Sequence, residues 1–306
     1  MCRLDENTCD LALVNAELRR DARDFALRCE RRYTEQLTAL AHRIADHARE
    51  RPFILLSGPS GAGKTTTALR IEALLDEWGY DTHTISLDNY FLPKQAPDLP
   101  VDASGKPDYE SPYRLDLELI RRHFELLFEG VPVEVPAFNF AEQARRPGYT
   151  LHRGERELVL MEGIHTLNPL VTGIAQPVAT SIFVDVETAL ADRGDLLPPP
   201  RFRLMRRLVR DRLFRGCNLQ STLDRYESVL RGEAAHILPY REAATESVDT
   251  FLAYEMGVYR PLLEDSANQL PEDIASFLSR ILPLDLPIST PNSIVREVTG
   301  SSIFQY

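Results

Sequence analysis

The stretch from Phe53 to Leu75 limits what this chain can fold into more than any other part of the sequence. It opens on an apolar run, FILLS, which is typical of a buried strand, and continues through GPSGAGKT, from Gly58 to Thr65. That loop fits the pattern G-x-x-x-x-G-K-[ST], and apolar residues at helical spacing follow it. Strand, glycine loop and helix in this order are the context that the pattern requires, so the sequence predicts a phosphate-binding loop.

The residue types in this loop suit a nucleoside triphosphate. Glycines let consecutive backbone N–H groups turn inward around an anion, and the helix that begins there adds its positive end. Lys64 can reach the outer phosphates, and the Thr65 hydroxyl can bind Mg²⁺. A chance glycine-rich turn before a helix is the alternative, which the flanking strand and helix disfavour. The predicted nucleotide-binding residues are Gly58, Ser60, Gly61, Ala62, Gly63, Lys64, Thr65 and Thr66.

Length, charge and cysteine content bound the class of protein. The 306 residues suffice for one large α/β domain with additions, and a net charge of −11 disfavours a general affinity for nucleic acid or an anionic membrane. The four cysteines show neither C-x-x-C spacing nor accompanying histidines, so we expect neither a disulfide framework nor a zinc site. No apolar run approaches the roughly 20 residues of a membrane span, and no signal-peptide pattern is present, so we expect a cytoplasmic protein.

Strand and helix patterns alternate along the chain. Apolar positions between residues 12 and 49 step by three or four, which predicts one or two amphipathic helices. These helices pack as a layer on the core or, alternatively, contact a partner or a second copy. Predicted strands lie at 82–87, 157–161, 181–186 and 248–255, an extended segment at 131–140, a hinge at 196–200, and helices at 115–128, 203–214 and 221–230. The alternation predicts the three-layer α/β sandwich of P-loop NTPases, with a mostly parallel sheet and an N-terminal helical extension.

Two acidic residues follow predicted strands. In open parallel sheets ligands bind beyond the carboxyl ends of the strands, where Asp88 and Glu162 are expected together with the phosphate loop. Asp88 ends a strand predicted to neighbour the first one, and its carboxylate can accept the proton of an attacking hydroxyl. Glu162 can hold Mg²⁺ directly or through water. A turn or cap residue at Asp88 and a solvated acid at Glu162 are the alternatives.

The segment from Arg203 to Arg215 contains six arginines and one acid, Asp211. In an otherwise acidic chain, this segment is where phosphate clamps are expected, because arginines on a closing lid can neutralise a transferring phosphoryl group. A solvated basic helix face is the alternative. His165, just after Glu162-Gly163-Ile164, is expected to be a packed core residue rather than a reacting group.

Taken together, these segments resemble the uridine kinase and phosphoribulokinase family of P-loop kinases. The shared motifs are GPSGAGKTT, LDNYF, DYESPYRLD, PAFNF, LVLMEGI and RRLVRDRLFRG, which occur in the family's order between about residues 52 and 260. The C-terminal SIVREVTGSSIFQY looks like the ending of a bacterial group of longer uridine-kinase-like proteins. The resemblance implies ATP and Mg²⁺ as cofactors. It makes Asp88 the general base, Thr65 and Glu162 the magnesium residues, and Lys64, Arg207, Arg210 and Arg215 further catalytic residues.

The acceptor side of the resemblance is less complete. Glu110 would hold the sugar hydroxyls of the acceptor, with Tyr109 beside it. The base-recognition positions differ from those usual in nucleoside kinases of the family: Phe138 and Phe140 flank Asn139, Gln143 replaces a histidine, and Cys217 replaces an arginine. A site built to hydrogen-bond a base edge loses affinity when such partners vanish. The residues assigned to the acceptor are Tyr90, Tyr109, Glu110, Phe138, Phe140, Gln143 and Arg225.

We therefore expect an ATP-dependent kinase that phosphorylates a hydroxyl of a small acceptor. A nucleoside, uridine or cytidine, is the first candidate, and a non-nucleoside sugar or polyol is the second. A non-catalytic nucleotide-binding regulatory protein is the alternative from another class. The expected organisation is an N-terminal helical extension at 1–50, a P-loop kinase domain at 51–265 and a C-terminal tail packed on the core at 266–306. No nucleic acid or membrane partner is expected, and a homo-oligomer is left open.

Overall fold

The computed structural model describes residues 2–5, 7–101, 105 and 107–304. The strands in chain order are β1 (Arg3–Asp5), β2 (Thr8–Asp10), β3 (Phe53–Ser57), β4 (Thr82–Ser86), β5 (Val133–Asn139), β6 (Ala144–Leu151), β7 (Leu158–Glu162), β8 (Ala179–Asp185), β9 (Ala189–Asp192), β10 (Asp195–Leu197) and β11 (Glu246–Asp249). The helices are α1 (Leu11–Asp46), α2 (Lys64–Glu77), α3 (Leu117–Phe128), α4 (Pro169–Thr172), α5 (Pro199–Phe214), α6 (Leu219–His236), α7 (Glu255–Leu263), α8 (Glu272–Arg280) and α9 (Ile294–Thr299).

Five parallel strands form the central sheet, in the order β11-β8-β3-β7-β4. Every residue of β3, β7 and β8 is buried, as expected of parallel strands covered on both faces. Successive residues of β3 enter two different cores: Ile54 and Leu56 pack on one face of the sheet, Phe53 and Leu55 on the other. The predicted three-layer α/β sandwich is therefore confirmed.

The order of the strands corrects one expectation. The strand that leads to Asp88 was expected to neighbour β3, but β7 lies between β3 and β4 and pairs with both. Glu162, the last residue of β7, is in register with Leu56 of β3 and Ser86 of β4. The carboxylate of β7 thus occupies the position between the phosphate loop and Asp88.

Several predicted segments begin or end at other residues than expected; the helix expected at 221–230, for example, spans Leu219–His236. The strand expected at 248–255 stops at Asp249, and Glu255 already begins α7. The hinge expected at 196–200 is divided between β10 and the start of α5, where Pro199 and Pro200 occupy the first turn. Proline suits that turn because its fixed φ matches the helix and its missing N–H would have no partner there.

Helix α1 covers the predicted amphipathic region and contains one break. Asp21 has φ −163° and ψ 96°, and its side chain accepts a hydrogen bond from the N–H of Asp24 at 2.9 Å, which caps the second part of the helix. The buried face includes Phe25 and Leu37, which belong to the same core as one face of the central sheet. The helix thus packs on the core as a layer.

Two smaller sheets complete the fold. Strands β5 and β6 form a hairpin that contains the segment expected to be extended, and β1, β2, β9 and β10 form a four-stranded sheet that the sequence did not predict. Within the residues that the structure describes, no helix has both the length and the apolar character that a membrane crossing requires.

Candidate active site

The phosphate loop runs between β3 and α2, and the geometry requires two of its glycines. A Cβ on Gly58 would lie 1.9 Å from the carbonyl oxygen of Val184 in β8, so only glycine allows the two backbones to come this close. Gly63 is the N-cap of α2 and has a φ of 84°, a left-handed conformation that suits glycine. The loop therefore lies against β8 and turns sharply into α2.

Side chains from outside the loop hold its carbonyl oxygens. The guanidinium of Arg203 donates to Ser60 O at 3.3 Å, and that of Arg206 donates to Gly61 O at 3.2 Å. The hydroxyl of Thr250 donates to Ala62 O at 2.8 Å, and that of Thr67 donates to Gly63 O at 2.7 Å. The C=O and N–H groups of one planar peptide point in opposite directions. Fixing these carbonyls outward therefore turns the N–H groups of Gly61, Gly63 and Lys64 toward the inner side of the loop. The Ala62 N–H instead closes a turn to Pro59 O at 3.2 Å.

Arg203 and Arg206 of α5 are buried and neutralised by acids from elsewhere in the chain. Arg203 donates two hydrogen bonds to Glu233, at 2.7 and 2.9 Å. Arg206 donates two to Glu255, at 2.8 and 3.0 Å. Burial opposes the charge of Arg206, but the Glu255 carboxylate more than offsets this and raises its pKa. These two arginines hold the loop and are not free to clamp a phosphate.

Arg207, Arg210 and Arg215 differ from that pair: Arg210 and Arg215 share the carboxylate of Asp211, and Arg207 lies in the field of Asp211, Glu110 and Glu233. Asp211 accepts hydrogen bonds from Arg210 at 3.0 and 3.1 Å and lies 3.6 Å from the Nε of Arg215. Arg207 donates to the Ser60 hydroxyl, and its buried Nε has no hydrogen-bond partner among the described residues. Burial and the charge of Arg210 lower the pKa of both Arg207 and Arg215. A cluster with excess positive charge favours a bound anion.

Asp88 follows β4 in a short 3₁₀ turn and is accessible to solvent. Protein atoms nevertheless surround its carboxyl group, and this desolvation raises its pKa. Lys64, Arg215 and Arg210 act on it in the opposite direction, in that order. Asp88 thus combines an accessible position with a desolvated carboxyl group in the field of three cations.

Glu162 is buried, and its environment suits a divalent cation. Burial and the nearby Asp88 raise its pKa to about 7, while Lys64 and Ser86 partly offset the shift. Two carboxylates that repel each other supply the kind of oxygen donors that Mg²⁺ prefers. The half-buried Thr65 follows Lys64 at the start of α2. The residues present therefore fit a magnesium site between the phosphate loop and Asp88.

The C-terminal part of the chain reaches the same loop. The Thr66 hydroxyl donates to Glu297 of α9, and a Cβ on Gly63 would meet the side chain of Ile294 at 3.0 Å. The charge of Glu297 also raises the pKa of Glu162. The motifs do not indicate this contact: Glu297 lies more than 200 residues from the loop, within the C-terminal segment SIVREVTGSSIFQY, and its resemblance assigns no contact to that segment. Lys64 Nζ donates to Pro59 O at 3.2 Å.

Glu110 lies on the acceptor side of this group. Burial raises its pKa to about 7, with Arg207 and Lys64 lowering it and Glu233 raising it. Its Oε2 is buried without a hydrogen-bond partner among the described residues. Gly232 of α6 packs directly on it, since a Cβ there would lie 2.3 Å from that of Glu110. A buried carboxylate oxygen with unused hydrogen-bonding capacity suits the hydroxyl of a bound molecule.

His165 is buried near Glu110, as a packed residue was expected to be. Backbone groups of Glu110 and His236 lie close to its ring, and burial lowers its pKa to about 4. Its ring centroid lies 6.4 Å from that of His236 in α6. The imidazole is therefore neutral at physiological pH.

The remaining acceptor residues are mostly engaged with one another or with the core. Tyr90 is fully buried, and its hydroxyl lies 2.9 Å from Nδ1 of His123. The ring centroids of Phe138 and Phe140 lie 5.0 Å apart, and both rings pack on the ring of Phe91.

Three further positions complete the acceptor set. Gln143 donates its amide to Phe140 O at 2.9 Å, and Arg225 lies 3.0 Å from Cys217 Sγ. Tyr109 is 51% exposed. The structure thus brings Lys64, Asp88, Glu162, Arg210 and Arg215 into one electrostatic group, with Glu110 and Arg207 beside it. It does not bring Tyr90 to that group.

Comparison with known proteins agrees with this arrangement. A model of the phosphoribulokinase / uridine kinase family matches residues 53–250. The chain belongs to this family. Its members include uridine kinases, and the resemblance noted from the motifs is confirmed.

Individual relatives are distant. A uridine kinase of Yersinia pestis (strain Pestoides F) is 29% identical over 190 residues, which are 61% of this chain and 81% of that protein. A uridine kinase of Klebsiella pneumoniae is 27% identical with the same coverage. A solved structure of a candidate fructose transport system kinase from Silicibacter sp. TM1040 aligns with a TM-score of 0.50 at 20% identity, over 69% of this chain and 98% of that one. That likeness concerns the fold alone.

The anchoring role of Arg206 predicts a loss of stability that depends on its partner. Arg206→Met leaves the buried Glu255 carboxylate without its cation, so we expect the free energy of unfolding to fall by about 3–5 kcal/mol. The double variant Arg206→Met/Glu255→Gln removes both charges, so its free energy of unfolding should fall by less than that of Arg206→Met alone. Urea unfolding measures both, with exposed Arg212→Met on the same helix as a control. A double variant less stable than the single one would contradict the assignment.

The raised pKa of Glu162 predicts a pH-dependent difference in stability. A carboxyl group whose pKa is about 7 in the folded protein and 4.5 in the unfolded chain binds its proton more tightly in the folded state. It therefore stabilises the fold at low pH. That contribution is lost as the pH rises from about 5 to above 7. Between pH 5 and pH 8, without added Mg²⁺, the free energy of unfolding of Glu162→Gln should therefore rise by roughly 2–3 kcal/mol relative to that of the unsubstituted protein. Urea unfolding at the two pH values, with exposed Glu155→Gln as the control, checks this; an unchanged difference would contradict it.

Proposed function

We propose that this protein is an ATP- and Mg²⁺-dependent kinase that transfers the γ-phosphoryl group to a hydroxyl of a small acceptor. The observation that carries the proposal is the position of Asp88. Asp88 is accessible at the carboxyl edge of the sheet, and its carboxylate lies in the field of Lys64, Arg210 and Arg215. A protein that only binds a nucleotide has no need of a base there.

The chain's own residues contribute much of the positioning and charge neutralisation on which phosphoryl transfer depends. The inward amides of the loop and Lys64 hold the triphosphate of ATP. Asp88 accepts the proton of the acceptor hydroxyl as its oxygen bonds to the γ-phosphorus, and the bond to the leaving oxygen of ADP breaks. Its raised pKa makes it a better base than a fully solvated aspartate.

Charge that builds up on the transferring group needs compensation from nearby cations. Arg210 and Arg215 together carry more positive charge than the Asp211 that they share neutralises, and Arg207 lies beside them, so the three can stabilise the equatorial oxygens. Thr65 and Glu162 would hold Mg²⁺, which when bound neutralises phosphate charge. Arg203 and Arg206 contribute only by keeping the loop in shape.

The acceptor we propose first is a nucleoside, uridine or cytidine. Uridine kinases of 27–29% identity support this acceptor, as does Glu110, whose unpaired carboxylate oxygen suits a ribose hydroxyl. The acidic residue would bind the sugar and leave the base to the aromatic cluster of Phe138 and Phe140, which could stack on a ring.

One observation favours a non-nucleoside sugar or polyol as the second candidate. The polar side chains at the expected base-contact positions are engaged within the protein: Gln143 with Phe140 O, and Arg225 with Cys217 and Ser221. Reading the edge of a base requires free donors and acceptors, whereas Glu110 alone can bind a hydroxyl of any sugar. ATP consumption measured with a panel of nucleosides, sugars and polyols separates the two. No turnover with any acceptor, despite tight ATP binding, would favour the non-catalytic alternative.

Asp88→Asn tests the proposed chemistry. The amide cannot accept the acceptor proton, so we expect kcat to fall by about 10²–10⁴-fold with little change in ATP affinity. Asp81→Asn, just before the opposite end of the same strand β4, is the matched control and should retain activity. Steady-state turnover and calorimetric ATP titration give the two quantities. Retained activity in Asp88→Asn would overturn the assignment of the base.

A further inference from the structure

Tyr33 of α1 lies outside the residues that match the family and is only 2% exposed. Its ring lies against the guanidinium of Arg70 in α2, which is 4.7 Å from the ring centroid. Arg70 is itself buried, donates to the Thr34 hydroxyl at 2.5 Å and lies 3.8 Å from Glu30. The tyrosine is thus fixed between α1 and the helix that carries the phosphate loop.

The hydroxyl of Tyr33 continues into a chain of hydrogen bonds. It lies 2.6 Å from Oγ1 of Thr67, which donates to Gly63 O at 2.7 Å. Since a threonine hydroxyl has one proton, and Thr67 gives it to Gly63, Tyr33 must be the donor of the first bond. Burial raises the pKa of Tyr33 to about 12, so the hydroxyl keeps the proton that it donates.

The acceptor at the end of this chain is the peptide that joins Gly63 to Lys64. Its carbonyl also accepts a hydrogen bond from the N–H of Thr67 at 3.0 Å. Gly63 has a left-handed φ, and glycine passes between left- and right-handed conformations at little cost, so this peptide needs to be held. With the carbonyl held outward, the Lys64 N–H points into the loop, where the phosphates of ATP would bind.

We propose that Tyr33 is a positioning residue of the phosphate site, acting through Thr67 on the Gly63–Lys64 peptide. The inference rests on the proposed binding of ATP to this loop. It makes α1 a working part of the nucleotide site and not only a layer on the core. A second hydrogen bond holds this part of α1 against the core: buried Glu30, one turn before Tyr33, accepts it from the hydroxyl of Tyr254.

The chain offers a matched pair of variants. Tyr33→Phe removes only the hydroxyl and keeps the ring against Arg70. Tyr80→Phe removes a second tyrosine hydroxyl that bonds to α1, to Ala45 O at 3.2 Å, but Tyr80 follows α2 at the end far from the loop. We expect Tyr33→Phe to weaken ATP binding about 5–10-fold with the KM of the acceptor unchanged, and Tyr80→Phe to bind ATP within about twofold of the unsubstituted protein.

Calorimetric ATP titration, with the unfolding temperature of each variant, distinguishes positioning from general stability. Thr67→Val should weaken ATP binding at least as much as Tyr33→Phe, and Thr67→Ser, which keeps the hydroxyl, should restore it. Equal ATP affinity in Tyr33→Phe and Tyr80→Phe would overturn the inference while the proposed function stands. Failure of the unsubstituted protein to bind ATP would overturn both.

Discussion

The site depends on the outward fixation of the carbonyl groups of the phosphate loop. Four consecutive carbonyls, from Ser60 to Gly63, accept hydrogen bonds from side chains of α2, α5 and the segment after β11. Because each peptide is planar, these bonds also set the direction of the N–H groups on the inner side. An anion site formed in this way is in place before any ligand arrives, so little reorganisation is needed when a triphosphate binds.

The arginines of α5 divide into two groups by their partners. Arg203 and Arg206 have acids of their own, Glu233 and Glu255, and their charges are neutralised while they hold the loop. Arg210 and Arg215 share Asp211 and act with their remaining positive charge on Asp88, and Arg207 lies beside Arg210. One short segment thus supplies both the rigidity of the loop and the cations that face the ligand.

The sequence predicted the parts of this site that are coded locally. The loop motif and the acids after two strands indicated the phosphate site and its carboxylates, because strand ends meet at one edge of a parallel sheet. It could not distinguish Arg206 from Arg207, since the acids that separate their tasks lie tens of residues away. The sequence also did not predict that β7 lies between β3 and β4, because the order of strands along the chain does not determine their order in the sheet.

The contacts that the two ends of the chain make with the phosphate loop could not be predicted from the sequence for a related reason. Tyr33 is one of the positions between residues 12 and 49 that step by three or four, and this spacing gives no sign that its hydroxyl forms a hydrogen bond. Glu297 lies in a six-residue helix within the C-terminal segment SIVREVTGSSIFQY, and nothing in that segment indicates that its carboxylate contacts the phosphate loop. The strands of the small sheet that includes β1 and β2 have only three or four residues, too few for alternation to be recognised.

A crystal structure with Mg²⁺ and a non-hydrolysable ATP analogue tests the central claim most directly. The account predicts that the phosphates lie on the amide side of the loop, with the carbonyls of Ser60 and Gly61 still bonded to Arg203 and Arg206. Phosphates bound elsewhere would contradict it. So would a structure in which Arg203 or Arg206 leaves its acid to bind the phosphates directly.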